Sequence, residues 1–265
     1  MSGGRWRYVV LLATTAVVSY LCRVNLTVVG DPIMREFGLT QSQMGRAFSA
    51  FGLGYALCMI PGGMLADRWG TRRILLATAI AWGLITLARS GAVTGPWTSL
   101  GILPSLLLLR FLLGVAEAPT FPAAALGTSR WIPAAQQGRA NGIVLAAIGL
   151  GSAIAPPLLT LLMTRWGWRV AVAVTALPAM AAALLWMSAR EPVKTAIGDR
   201  VAETLREGAP RKSLLRTSNF ALLTASYSLQ GYVGYIFVFW FYLYLVQERH
   251  FDIVSGALFS SLPWV

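Results

Sequence analysis

Three ionisable side chains lie where the surrounding sequence offers them no water: Arg23, Arg110 and Glu117 each sit inside a run of apolar residues. A charge at the centre of a bilayer costs at least about 2.5–3.5 kcal/mol, so such a residue faces a cavity or a partner. Arginine's planar fork matches a carboxylate, which makes Arg23 and Arg110 candidate anchors for an organic anion. Tyr20, three residues before Arg23, shares its helical face and adds a hydroxyl donor. Glu117 is the one carboxylate of the set. Burial favours its neutral form and a guanidinium favours its charged form, so it is suited to taking up and releasing a proton.

The elements that must position these groups are membrane helices. Of 265 residues, 56% are hydrophobic and 12% charged. Soluble domains carry about 25% charged residues, so the composition excludes a water-soluble globule, a disordered chain and a fibre. The two cysteines, Cys22 and Cys58, lie in apolar stretches and give no disulfide framework, and the single histidine, His250, leaves no material for a metal centre. No cofactor motif, nucleophile elbow or paired intramembrane aspartate is present, so an enzyme is not expected. The net charge of +12 is spread between apolar runs, as a membrane protein's topology requires, and does not indicate a nucleic-acid partner.

A spanning helix needs about 20 apolar residues. The chain supplies seven such spans, at 8–29, 44–66, 73–90, 98–126, 140–163, 168–188 and 218–246, with 254–265 opening an eighth. The expected fold is an all-α polytopic membrane protein in three parts: a six-helix bundle over 1–188, a charged cytoplasmic linker over 189–217, and the start of a second bundle over 218–265. Fourteen loop cations fall on the N-terminal side of the membrane and six on the other, Arg89 among the six, which predicts a cytoplasmic N-terminus in the cell's inner membrane.

Within these spans Arg23 lies six residues from the outer end of the first, about 9 Å, and could snorkel to the interface. Arg110 lies about 12 residues into the fourth span, about 18 Å deep, where snorkelling is difficult. Glu117 shares its face two turns on, about 10 Å away along the axis, so the two do not form a simple direct pair. Glu117 therefore needs another partner or spends time protonated, and a structural pair with a cation of another helix is the competing reading. In the seventh span Tyr227, Gln230, Tyr232 and Tyr235 are candidates to line the cavity, Tyr227 and Gln230 the first choices; packing is the alternative role for the aromatic residues.

Between spans two and three runs Gly63-Met64-Leu65-Ala66-Asp67-Arg68-Trp69-Gly70-Thr71-Arg72-Arg73. Positive-inside charge explains the arginines but not an acid wedged among them. The stretch resembles the G-x-L-A-D-R-x-G-x-R-R signature of the major facilitator superfamily. That resemblance implies the major facilitator fold and a cytoplasmic gating role for Gly63, Asp67, Arg68, Gly70, Arg72 and Arg73, with Asp67 pairing with basic residues or a helix N-terminus when the inner gate is shut. Further stretches narrow the likeness. Arg23-Val24-Asn25-Leu26, the run Arg110 to Pro122 with Glu117-Ala118-Pro119, Arg130-Trp131-Ile132-Pro133 and Trp166-Gly167-Trp168-Arg169 are similar to segments of the anion:cation symporter family. Two positions depart from it. Cys22 stands where bacterial sugar-acid members often carry an acid, and Tyr242 stands where the seventh span tends to have proline.

The resemblance implies secondary transport of a small organic anion, a carboxylate such as a sugar acid or dicarboxylate. A proton would be co-transported, sodium being the alternative ion. Arg23 and Arg110 would bind the anion and Glu117 would carry the proton. A transporter-like anion sensor and a drug/proton antiporter are the competing functions. The superfamily builds its pathway between two six-span halves, and the chain stops at Pro263-Trp264-Val265 inside an apolar run. Transport is therefore expected to require a further C-terminal half.

Overall fold

The computed structural model describes residues 2–91, 101–189 and 217–264, and every regular element among them is helical. All but the two end residues of the expected linker 189–217 lie outside the described residues. The helices are α1 Ser2–Phe37, α2 Gln41–Trp69, α3 Thr71–Ser90, α4 Ile102–Glu117, α5 Thr120–Trp131, α6 Ala134–Val174, α7 Ala176–Ser188 and α8 Ser218–Phe239. The short turns Phe241–Leu243 and Tyr244–Glu248 follow, then α9, Ile253–Ser261.

Local chemistry sets several boundaries. Thr40 caps α2 reciprocally with Gln43: the Gln43 N–H donates to Thr40 Oγ1 at 3.2 Å and the Thr40 N–H donates to Gln43 Oε1 at 2.8 Å. Gly70 (φ 88°) and Gly167 (φ 78°) occupy positive φ, which residues with a Cβ rarely adopt, and at each the chain changes direction. At Gly167 the change is a reversal. Unbroken, the 55-residue run Ala134–Ser188 would extend about 80 Å, against about 30 Å of hydrocarbon. Instead Gly151 packs on Val17 of α1, Trp168 and Arg169 reach Glu36 at one end of α1, and Trp186 returns to donate to Thr15 Oγ1 at 2.9 Å. Two antiparallel passes result, as the fifth and sixth spans predict.

The fourth span, Ile102–Trp131, is divided into α4 and α5 by a short break at Ala118–Pro119. Pro119 and Pro122 have no N–H to give to the preceding turn, so the helical ladder is interrupted there. The span runs on to Trp131, beyond the expected 126, and the fifth begins at Ala134, before the expected 140. Both helices run past their apolar cores into the polar flanks carrying Arg130 and Arg139, and the extended Ile132 before Pro133 sets the break between them.

The crossing of α2 and α4 positions the interior charges. A Cβ at Gly114 would fall within van der Waals contact of the Phe51 carbonyl oxygen and 2.8 Å from the Tyr55 nitrogen, and one at Gly54 would strike the Phe111 carbonyl. Only glycine lets these two backbones touch.

The seventh span, α8, bends by 46° at Trp240 into Phe241–Glu248. Its second half docks on the bundle near Glu36. Phe239 stacks on Phe48 at 5.1 Å, Thr27 Oγ1 donates to the Val238 carbonyl at 3.1 Å, and Gln247 Nε2 donates to Asp31 Oδ1 at 2.8 Å. Its first half, from Ser218 to Gln230, is exposed throughout. The span thus leans on the bundle at the Glu36 end and stands clear of it at the opposite end, where Arg72 donates to the carbonyls of Trp186 (3.2 Å) and Met187 (2.5 Å). Large apolar side chains such as Val10, Ile60, Leu145 and Leu184 face outward, a surface fit for lipid.

Candidate functional site

The helix crossings bring Arg23, Arg110 and Glu117 together. All three are buried, with relative exposures of 4%, 0% and 1%. Arg23 does not snorkel outward. Its Nη2 and Nε donate to Glu117 Oε1 at 2.7 and 3.1 Å, and its Nη1 donates to the Tyr20 hydroxyl at 3.1 Å. Glu117 therefore finds its partner on α1, which its spacing from Arg110 had required without naming it.

Arg110 is held differently. Its Nη1 donates to the backbone carbonyl of Arg23 at 3.2 Å, while its Nε and Nη2 have no partner among the described residues. Those two nitrogens form one edge of the guanidinium, the edge that takes a carboxylate side-on. Glu117 Oε2 is likewise without a partner.

An aromatic frame surrounds the charges. The Arg23 guanidinium lies 4.4 Å from the Tyr20 ring centre, 5.1 Å from Phe51 and 5.2 Å from Tyr55. Arg110 lies 5.1 Å from Phe51, 5.6 Å from Phe239 and 5.8 Å from Phe48. Ring faces attract cations and exclude water, so they stabilise the guanidiniums without occupying their hydrogen-bonding edges. Phe48, Phe51 and Tyr55 recur at helical spacing on one face of α2, a signal the sequence carries that the charge-led reading passed over.

Of the four seventh-span candidates, Tyr235 reaches the cluster. Tyr235 stacks on Phe239 at 5.3 Å, and Phe239 faces Arg110. Tyr227 is 71% exposed and Gln230 is exposed, so neither joins the cluster. Both lie on the half of α8 that stands clear of the bundle, and only the docked half can reach Arg110.

A third cation is buried beside Arg23 and Arg110. Arg89, counted by sequence among the outer loop charges, is 2% exposed: its Nη2 donates to Asn25 Oδ1, and Asn25 Nδ2 donates to Thr175 Oγ1 at 3.1 Å. Its place one residue before the end of α3 looks like an interface position, but the approach of α1 and α7 covers it.

The Gly63–Arg73 stretch lies at one end of the bundle, where α3 meets the end of α7. Gly63 packs on Pro122, whose Cβ lies 3.4 Å from where a Cβ on Gly63 would stand. Gly70 makes the turn into α3, and Arg72 ties α3 to the end of α7. Asp67, Arg68 and Arg73 are exposed, and among the described residues no ion pair of Asp67 is formed.

The family model described as Major Facilitator Superfamily matches residues 12–265. A protein of Cupriavidus necator described as a "Probable sulfoacetate transporter" is 32% identical over 262 residues, covering 93% of this chain and 58% of that protein. A "Probable galactarate/D-glucarate transporter" of Bacillus subtilis is 29% identical over 280 residues, covering 98% of this chain and 61% of its own. In shape, the chain is similar to a bacterial homolog of the human lysosomal transporter Spinster in an inward-facing, unoccupied conformation, with a TM-score of 0.80 at 22% identity over 99% of this chain and 60% of that one. The chain thus spans about three-fifths of the length of these proteins.

Proposed function

The chain belongs to the major facilitator superfamily, and from that membership we propose that it forms the anion-binding part of a secondary transporter for small organic anions, sugar acids or related carboxylates, coupled to protons. The observation that carries this reading is the unfilled Nε/Nη2 edge of Arg110, fully buried beside the Arg23–Glu117 pair. A buried guanidinium edge without an acceptor is costly, and a substrate carboxylate supplies that acceptor.

The same geometry supports symport. With Glu117 ionised, its Oε1 occupies the Nε and Nη2 of Arg23. Protonation of Glu117 removes the charge that holds Arg23, and the released edge accepts the substrate. Anion and proton then favour one another's binding, the linkage symport requires. Alternating access is supported by the seventh span, which docks at the Glu36 end and stands clear of the bundle at the Arg72 end, so that an exit for the buried site would form on the Arg72 side. Positive-inside charge supports a cytoplasmic position for that end, with the N-terminus inside and the protein in the inner membrane. Burial of Arg89 removes one cation from the outer set and sharpens that asymmetry. A second bundle completes the pathway.

The test uses the full-length protein in vesicles. Uptake of D-glucarate driven by an inwardly directed proton gradient, unchanged when sodium is replaced, supports the proposal. Uptake driven by sodium alone, or preserved in Arg110→Ala, refutes it.

A further inference from the structure

The buried charges of the site do not balance. Among the described residues, the interior holds the guanidiniums of Arg23, Arg89 and Arg110 against the single carboxylate of Glu117. Asp31, the other buried acid, is engaged at the Glu36 end by Arg35 at 3.1 Å and by Gln247. Arg89 has a thiol and a hydroxyl beside it, from Cys22 and Thr86, in place of a carboxylate. Its Nε and Nη1 are unpartnered, and it lies close enough to Arg110 for the two cations to repel each other. Asn25, oriented by its bond to Thr175, fixes Arg89 in that position through its side-chain oxygen.

The surplus is therefore two positive charges when Glu117 is ionised. A monoanion that enters with one proton leaves this surplus where it began. A dianion that enters with one proton lowers it by one. Unbalanced buried charge is the costly quantity, so the dianion gains more from the site. The hydrogen-bonding edges agree. Arg110 presents one free edge, and protonation of Glu117 frees a second on Arg23, one for each anionic group.

Resting on the anion-transport reading above, we infer that the site selects small dianions, molecules with two carboxylates or with a carboxylate and a sulfonate, and that Arg89 sets this selectivity through its charge without touching the substrate. Arg89 is a positioning residue in this scheme: it raises the potential at Arg110.

Binding to the purified full-length protein, measured by calorimetry with D-glucarate and D-gluconate, tests the inference. The two probes share a six-carbon polyol chain and differ by one carboxylate. Wild type is expected to bind D-glucarate at least tenfold more tightly. Arg89→Leu should reduce that ratio about tenfold, the scale set by one unit charge at an effective dielectric of about 20, and Arg89→Lys should largely restore it. A purely structural role would weaken both probes alike and leave the ratio unmoved. Equal affinities in wild type overturn the inference even if Arg89→Leu does not fold, and so does an unchanged ratio in a folded Arg89→Leu. Tight binding of both probes without preference refutes the dianion selectivity and leaves anion transport standing; binding of neither refutes both.

Discussion

Arg23 and Glu117, 94 residues apart in the chain, share a buried contact in which one oxygen, Glu117 Oε1, accepts from both Nε and Nη2 of Arg23 while Oε2 has no hydrogen-bond donor among the described residues. A carboxylate that uses both oxygens on a guanidinium is locked in place. One that uses a single oxygen can be displaced when it gains a proton. The pair therefore holds α1 to α4 and remains able to open.

Glu117→Gln removes the titration but keeps an oxygen for Arg23. The full-length variant should lose proton-driven accumulation while retaining substrate exchange, and the pH dependence of anion binding should flatten. Counterflow and gradient-driven uptake in the same vesicles separate the two activities. Glu117→Ala leaves Arg23 as a buried unpaired charge and should destabilise the bundle by about 3–5 kcal/mol, read as a large fall in melting temperature in detergent.

Arg110→Ala should abolish uptake with membrane insertion intact, because among the described residues the one hydrogen bond Arg110 makes is to the Arg23 backbone. The expected loss of affinity is about 30-fold or more, the scale of truncating a buried charged anchor. Arg110→Lys should be nearly as poor, since an ammonium cannot present two parallel donors. Binding and uptake by either variant at the wild-type level would remove Arg110 from the site.

Gly114→Val tests the crossing that brings Arg110 under Phe51. The new side chain would meet the Phe51 carbonyl and the Tyr55 nitrogen, so α2 and α4 must separate, at about 1–3 kcal/mol or more. Melting temperature and anion affinity should fall together. Gly142→Ala in α6 is the control: nothing lies within 4 Å of its added Cβ, and stability should hold or rise slightly.

Glu36 lies beyond the end of the first span and receives Arg169 Nη2 at 2.5 Å and Trp168 Nε1 at 2.8 Å. Hydrogen bonding from Arg169, then Trp168, holds its carboxyl below the usual carboxylate range. A depressed folded-state pKa gives stability that is present above the unfolded value of about 4.3 and is lost as pH falls through the folded one. The pair is partly exposed, so the increment is below about 1 kcal/mol. Melting curves from pH 6 to pH 3 should show Glu36→Gln and wild type converging at the acid end, and added salt should narrow the gap at pH 6. A constant difference across that range would contradict the assignment.

The membrane class, the succession of long apolar helices and the buried groups worth attention were legible along the chain. Each of these follows from composition, run length or a charge misplaced in an apolar stretch, which are properties local to the chain. The Gly63–Arg73 stretch and the Arg110–Glu117 span were legible in the same way. Tertiary structure alone decided who meets whom. Glu117 pairs with Arg23 because the glycine contact of Gly54 and Gly114 draws α2 and α4 together and α1 closes over them, a relation that no spacing along one helix encodes. Residue type marks Tyr227, Gln230, Tyr232 and Tyr235 alike, and docking of the span at Val238 and Phe239 selects Tyr235, with Phe239, for the cluster. Arg89 stands at the edge of a span in the sequence and inside the bundle in the fold, because burial is set by the neighbours that pack over a residue and not by its distance from a helix end.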